Sequence, residues 1–220
     1  MFRDRLSHLV ARLSRGSPKE LWTVGHYSEE EQQRILRELN TKTPKKVGLE
    51  VADDYLDFEQ SGLKTYFTPI ASALTKHAVE VVPLCSRSIQ DYTSALGLAR
   101  KVKLEGIESE LSDRIKKFER LVKEDRSFAR ELALVFPNEY FLRLYRSVSE
   151  VLEKYPTNEG LSSEFYRAAA EKSEIMLERI KRLQPDIAIF GFEHTKQISP
   201  LPGYKVVKFY KPLPLDFMWQ

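Results

Sequence analysis

Short runs of consecutive apolar residues recur along the chain and predict buried β-strands. Runs rich in Val, Ile and Leu, bounded by polar or turn residues, are typical of strands covered on both faces of a sheet. The predicted strands span residues 21–25, 46–51, 79–84, 186–190 and 204–210. The last run begins after Pro202 and Gly203 and ends before Pro212, as a strand bounded by turns does.

Between several of these strands the apolar positions lie three or four residues apart, which predicts amphipathic helices. Ser28 and Glu31 have the spacing of a capping box and predict a helix that continues to about residue 39. A second helix is predicted over residues 68–77. A strand, a helix and a strand within about thirty residues are typical of a right-handed parallel crossover. We therefore expect an α/β fold with a mainly parallel sheet flanked by helices.

The two remaining regions are also predicted to be helical. A short basic helix before Gly16 is expected to pack on its own domain rather than on a membrane surface. From about residue 92 to 183 the spacing is helical almost throughout, with Pro137 and Pro156 dividing the region. We therefore predict a single α/β domain over residues 1–220, with a large helical insertion before the last two strands.

One lysine falls on the apolar face of the long helix predicted after Gly160. The apolar stripe consists of Phe165, Ala169, Met176, Ile180 and Leu183. Lys172 shares this stripe, because it lies at the same helical spacing. Either its aliphatic stem packs there and its ammonium reaches water, or its ammonium is directed toward a functional site.

Composition and charge narrow the class of protein. Of the 220 residues, 42% are hydrophobic and 30% are charged, and the net charge is only +3, which indicates a soluble folded chain without a specific nucleic-acid partner. The sequence shows no apolar run long enough to span a bilayer. The single cysteine, Cys85, excludes an intramolecular disulfide framework and favours a cytoplasmic location. Abundant Lys, Arg and Glu are typical of heat-adapted proteins. Assembly into a homo-oligomer is left open.

Polar residues that directly follow the predicted strands are the candidates for chemistry. Ligands of open α/β sheets bind beyond the carboxyl ends of the strands. His26 follows the first strand and Glu50 lies near the end of the second. Ser86 and Arg87 follow the third strand, and His194 follows the fourth. We expect a site where these strand ends meet.

Two imidazoles and one carboxylate, from His26, Glu50 and His194, form a ligand set that suits zinc and other divalent transition metals. Such a set leaves coordination positions open for water and substrate, so hydrolysis is the expected chemistry. In the alternative interpretation, His26 caps a helix, Glu50 pairs with a lysine and His194 is a loop residue. Glu193 is a further candidate carboxylate, although we expect it to face solvent or a basic side chain. The sequence has no phosphate-binding glycine motif, so a nucleotide cofactor is not expected.

About five segments occur in an order that resembles one superfamily of proteins. They are residues 23–26, ending in Gly25-His26; residues 47–50, ending in Glu50; residues 79–87, ending in Ser86-Arg87; residues 171–176, containing Lys172 and Met176; and residues 187–194, ending in Gly191-Phe192-Glu193-His194. The order is similar to that in the superfamily joining TraB-like proteins, Tiki-type proteases, haem-binding ChaN proteins and erythromycin-esterase-like enzymes. The resemblance implies a metal-dependent hydrolase of peptide or ester bonds.

On this hypothesis His26, Glu50 and His194 bind zinc, manganese or cobalt, and Lys172 or Arg87 stabilises developing negative charge. The substrate would be a peptide or a small molecule. The sequence also departs from the superfamily pattern: Thr23 stands in place of a glycine, Lys172 in place of an arginine, Tyr55 in place of an arginine, and Ser86 in place of an aspartate. The alternative is therefore a noncatalytic binding protein that keeps the fold and uses its helical middle as a docking surface.

Overall fold

The structure of the protein is a computed structural model. It describes residues 18–25, 29–54, 66–106, 113, 116 and 138–210. The predicted N-terminal helix lies outside the described residues. So do His26, Ser28 and Tyr55.

Five parallel strands form one sheet, which confirms the predicted α/β class. The strands are β1 (Lys19–Val24), β2 (Lys46–Ala52), β3 (Glu80–Cys85), β4 (Ile187–Gly191) and β5 (Tyr204–Lys208). Their order across the sheet is β3-β2-β4-β1-β5. All five residues of β4 are buried, as expected for a central strand covered on both faces.

The strand order determines which strand ends are neighbours. β4 lies between β2 and β1, although it follows them in the chain by more than a hundred residues. Leu49 of β2 pairs with Ile189 of β4, and Val24 of β1 pairs with Gly191 at the end of β4. The carboxyl ends of β2, β4 and β1 therefore lie side by side, where α/β proteins bind ligands.

Six α-helices are described, and they include the helices predicted around residues 28–39 and 68–77. They are α1 (Glu29–Lys42), α2 (Thr68–Lys76), α3 (Arg87–Glu105), α4 (Asn138–Lys154), α5 (Asn158–Leu183) and α6 (Thr195–Ile198). A short 3₁₀ turn, Phe192–His194, follows β4 directly. No helix in the described part of the chain is long and apolar enough to cross a membrane.

The chain divides into two compact units. Unit 1 comprises Met1–Glu50, Pro69–Val82 and Leu177–Gln220, and its described core includes Leu21, Ile35 and Ile189. Unit 2 comprises Val51–Thr68 and Pro83–Met176. The core of unit 2 is a cluster of buried helix residues: Ala95, Leu96, Ala99, Val148, Val151, Leu161 and Ala168. The single domain with an insertion over residues 92–183 stays a prediction.

Candidate metal centre

Glu50 and His194 lie together at the carboxyl ends of β2 and β4. Glu50 belongs to β2, and His194 ends the 3₁₀ turn after β4. Nε2 of His194 is 3.4 Å from Oε1 of Glu50. Both residues are buried, with 4% and 2% of their surfaces exposed. The sequence predicted that these two side chains converge, and they do so because β2 and β4 are adjacent strands.

The backbone of Gly191 holds the Glu50 carboxylate in place. The amide N–H of Gly191 donates a hydrogen bond of 2.6 Å to Oε2 of Glu50. A buried carboxylate needs such partners, because its removal from water is costly. With Oε2 directed at the backbone amide, Oε1 is the oxygen that faces His194.

A second carboxylate approaches the same imidazole nitrogen. Oε1 of Glu193 is 3.8 Å from Nε2 of His194, and the Glu193 side chain is 43% exposed. The carboxylate of Glu193 folds back over Gly191, where an added Cβ atom would lie only 2.5–2.6 Å from it. Glu193 is thus partly solvent-exposed, as expected, but its carboxylate also faces His194. The fold-back depends on the 3₁₀ turn, which sequence analysis did not predict.

The three side chains have the spacing of a metal site. One ligand atom from each of Glu50, Glu193 and His194 lies within 4.8 Å of the other two. Two ligand atoms that each lie about 2.1 Å from a tetrahedral zinc ion are about 3.4 Å apart. Nε2 of His194 lies at comparable distances, 3.4 and 3.8 Å, from the oxygens of Glu50 and Glu193. One imidazole nitrogen and two carboxylate oxygens are ordinary ligands of divalent transition metals. This group could therefore hold a metal ion.

His26, the third predicted ligand, lies outside the described residues, but the backbone just before it is held by a specific contact. The N–H of Gly25 donates a hydrogen bond of 2.9 Å to Oε2 of Glu31, whose side chain is buried near the start of α1. Glu31, predicted as part of a capping box, thus reaches back to the end of β1. This contact ties the residue that precedes His26 to α1.

Arg87, the predicted cation at the end of β3, is paired with carboxylates of unit 2. Its Nε atom donates to both oxygens of Asp54, at 2.8 and 2.9 Å, and its NH1 atom donates to Asp91 at 3.4 Å. Burial opposes the charge, but the hydrogen bonds and negative charge of Asp54 and Asp91 outweigh it and raise the pKa of Arg87. The guanidinium therefore carries a charge that two carboxylates already balance. Its role in stabilising an anionic substrate stays a prediction.

Lys172 lies on the buried face of α5, as the apolar stripe predicted. Only 5% of its surface is exposed, and Ala168 and Met176 on the same face are fully buried. Its aliphatic stem is therefore packed on this face, and snorkelling of the ammonium to water stays the alternative prediction. The predicted direction of the ammonium, toward the rim of His194, stays a prediction.

Comparisons of the chain with protein-family models, with curated proteins and with solved structures found no match.

Proposed function

We propose that this protein is a metal-dependent hydrolase of peptide or ester bonds, resembling the TraB and Tiki group, with a divalent ion at Glu50, Glu193 and His194. The observation that supports this most is the buried pair of Glu50 and His194 at the adjacent ends of β2 and β4. Buried titratable groups at this edge of a parallel sheet are more typical of a functional site than of a fold requirement. His26 is proposed as a further ligand.

The residues of the site have distinct roles in this proposal. Glu50 is a fixed anionic ligand, because the Gly191 amide restrains its carboxylate. His194 offers Nε2 as a neutral nitrogen ligand, and its burial keeps the ring in one orientation. Glu193 offers a carboxylate from the exposed side, where substrate has access. A zinc, manganese or cobalt ion bound there would supply Lewis-acid chemistry, polarising a carbonyl group and activating water.

Metal binding tests the proposal directly. Calorimetric titration of the parent protein with zinc, manganese and cobalt should show one site per chain for at least one of these ions. His194→Gln and Glu50→Gln should each weaken binding at least about tenfold, because each removes a ligand from a preformed set. His77→Gln and Glu178→Gln are matched controls, since both residues are exposed on other helices or turns, and they should bind as the parent does. A parent protein that binds none of the three ions would contradict the proposal.

Hydrolysis is tested separately on a panel of quenched fluorescent peptides and chromogenic esters. Turnover should disappear with a chelator and return when the bound ion is restored. Metal binding without turnover would instead favour the noncatalytic alternative. In that case Leu104 and Tyr166, two large exposed hydrophobic residues of unit 2, are the first positions to examine for partner binding.

A further inference from the structure

Gly191 contributes to the site through both its amide and its missing side chain. The amide binds Glu50, and the space above the α-carbon is filled by the carboxylate of Glu193. We infer that Gly191 is a positioning residue whose lack of a side chain seats Glu193 as the exposed ligand of the proposed ion. This inference depends on the proposed function and extends it to a residue that carries no ligand atom in its side chain.

The backbone at Gly191 does not itself require glycine. Its φ of −59° and ψ of 145° are values that any residue adopts. What a larger residue would meet is the end of the Glu193 side chain, because an added Cβ would lie 2.5 Å from Oε2 and 2.6 Å from Cδ and Oε1. A β-carbon at position 191 would therefore have to displace the carboxylate, while the amide could still bind Glu50.

The conformation of Glu193 is itself a reason to infer a cation. A partly exposed glutamate loses side-chain rotamer entropy when it folds back, and Glu193 folds back toward a second carboxylate, that of Glu50. Oxygens of Glu50 and Glu193 lie within 4.8 Å of each other beside one imidazole nitrogen. Two like charges at such a distance repel, and a divalent ion between them would turn the repulsion into attraction. The test must therefore report on the ion itself.

The test is a double-mutant cycle on cobalt affinity, measured by calorimetry, with the visible absorption of bound cobalt as a second readout. Gly191→Ala and Glu193→Gln should each weaken cobalt binding about tenfold. The variant carrying both changes should lose about tenfold rather than about a hundredfold, because both act on the same ligand. All three variants should share one altered cobalt spectrum. Gly97→Ala is the control, since its added Cβ would meet only an ordinary contact of 3.7 Å with Phe165.

The possible outcomes separate this inference from the proposed function. A hundredfold loss in the double variant would mean that Gly191 does not act through Glu193, which overturns the inference. Parent-like binding and an unchanged spectrum in Glu193→Gln would also overturn it, while the site at Glu50 and His194 would stand. Glu193→Gln leaves the backbone unchanged. It therefore shows whether Glu193 is a ligand of the ion even if circular dichroism shows that Gly191→Ala folds poorly. A parent that binds no ion overturns both proposals.

Discussion

Thr23 carries a fully buried hydroxyl near the end of β1 that has no hydrogen-bond partner among the described residues. Burying a hydroxyl without a partner costs about 1–3 kcal/mol. Thr23→Val keeps the shape of the side chain and removes the hydroxyl, so we expect the free energy of unfolding to rise by about 1 kcal/mol. Urea unfolding of the two proteins measures this difference. A loss of stability would show that the hydroxyl is bonded in solution, for example by an ordered water molecule.

Lys172 offers a second test at the scale of a single residue. We expect Lys172→Met to retain the fold, because methionine suits a packed helix face. If the ammonium serves the site, the variant should lose at least about tenfold in hydrolytic rate, with unchanged metal affinity. Lys181→Met, at an exposed position of the same helix, is the control. Equal rates for both variants and the parent would remove Lys172 from the proposed site.

The site residues differ in how far the sequence could predict them. Glu50 and His194 were predicted to converge because Glu50 lies near the end of one strand and His194 follows another, and strand ends meet in a parallel sheet. The carboxylate position of Glu193 could not be predicted in this way. It depends on a 3₁₀ turn and on free space above Gly191, neither of which has a periodic pattern. The signal available in the sequence was Gly191, which lies two residues before Glu193, and Glu193 directly precedes His194.

Among the elements, the amino-terminal ends of β2 and β4 are joined by Asp186. Its Oδ2 atom accepts hydrogen bonds from the backbone amides of Lys45 and Lys46, at 2.8 and 3.1 Å. Asp186→Ala leaves both amides without this acceptor, so the free energy of unfolding should fall by about 1–3 kcal/mol. Asp186→Asn retains a carbonyl oxygen and should cost less. Metal affinity should be the same in both variants, because these amides lie at the opposite strand ends from Glu50; a large change in affinity would contradict this assignment.

Within unit 2, helix α3 and the part of α5 that belongs to this unit are linked by the carboxylate of Glu164, whose contribution to stability should depend on pH. Hydrogen bonds from Arg167 outweigh burial and, together with one from Tyr92, lower the pKa of Glu164 to about 2. A lowered pKa in the folded state stabilises the protein above the unfolded value of 4.5, and this stabilisation is lost as the pH falls from about 4.5 toward 2.

We therefore expect Glu164→Gln to be less stable than the parent at pH 7, by on the order of 1 kcal/mol. The difference should shrink as the pH falls below about 4.5, because the unfolded parent chain then binds a proton at Glu164 while the folded protein, with a pKa of about 2, does not. Urea unfolding at pH 7, 4 and 3 measures it. Glu178→Gln, on the exposed surface of the same helix, should show little difference at any of these values. If the stability difference between the parent and Glu164→Gln grew toward acidic pH, the assigned lowering of the Glu164 pKa would be wrong.

The elements themselves were predictable where a local pattern determines them. Each predicted strand overlaps a described strand. A continuous apolar run specifies burial on both faces, as in β4, all of whose residues are buried, whereas none of the residues of the edge strand β5 is fully buried. The helix predicted to end near residue 39 continues to Lys42 and ends where Thr43 adopts a positive φ of 46°. Its end was ambiguous in the sequence, since Asn40 and Thr41 permit either a cap or another turn. Helix ends are decided by such local backbone geometry more than by apolar spacing.

At the scale of the whole molecule, the strand order was beyond the reach of local patterns. The sequence predicted strands in one parallel sheet, but the insertion of β4 between β1 and β2 is a long-range pairing. That pairing creates the site, because it makes β2 and β4 neighbours and so brings Glu50 to His194. A parallel crossover rule restricts the handedness of connections but leaves several strand orders open.

An ion bound at the site should stabilise the folded molecule as a whole. At an ion concentration about a hundred times the dissociation constant, the gain is about 2.7 kcal/mol, which corresponds to roughly 5–10 °C in melting temperature for a chain of this size. His194→Gln should show no comparable rise at the same ion concentration. Thermal unfolding with and without the ion measures both.

Hydrogen exchange then shows how far the stabilisation extends. All three ligands belong to unit 1, so amides of β2 and β4 should be protected first, including that of Gly191, which already bonds Glu50. If the chain is one cooperative domain, as its sequence predicts, the slowest amides of α3 and α4 in unit 2 should gain protection equal to the ion's stabilisation, because they exchange only through global unfolding. Protection confined to unit 1 would mean that the two units unfold separately, and the single-domain prediction would be wrong.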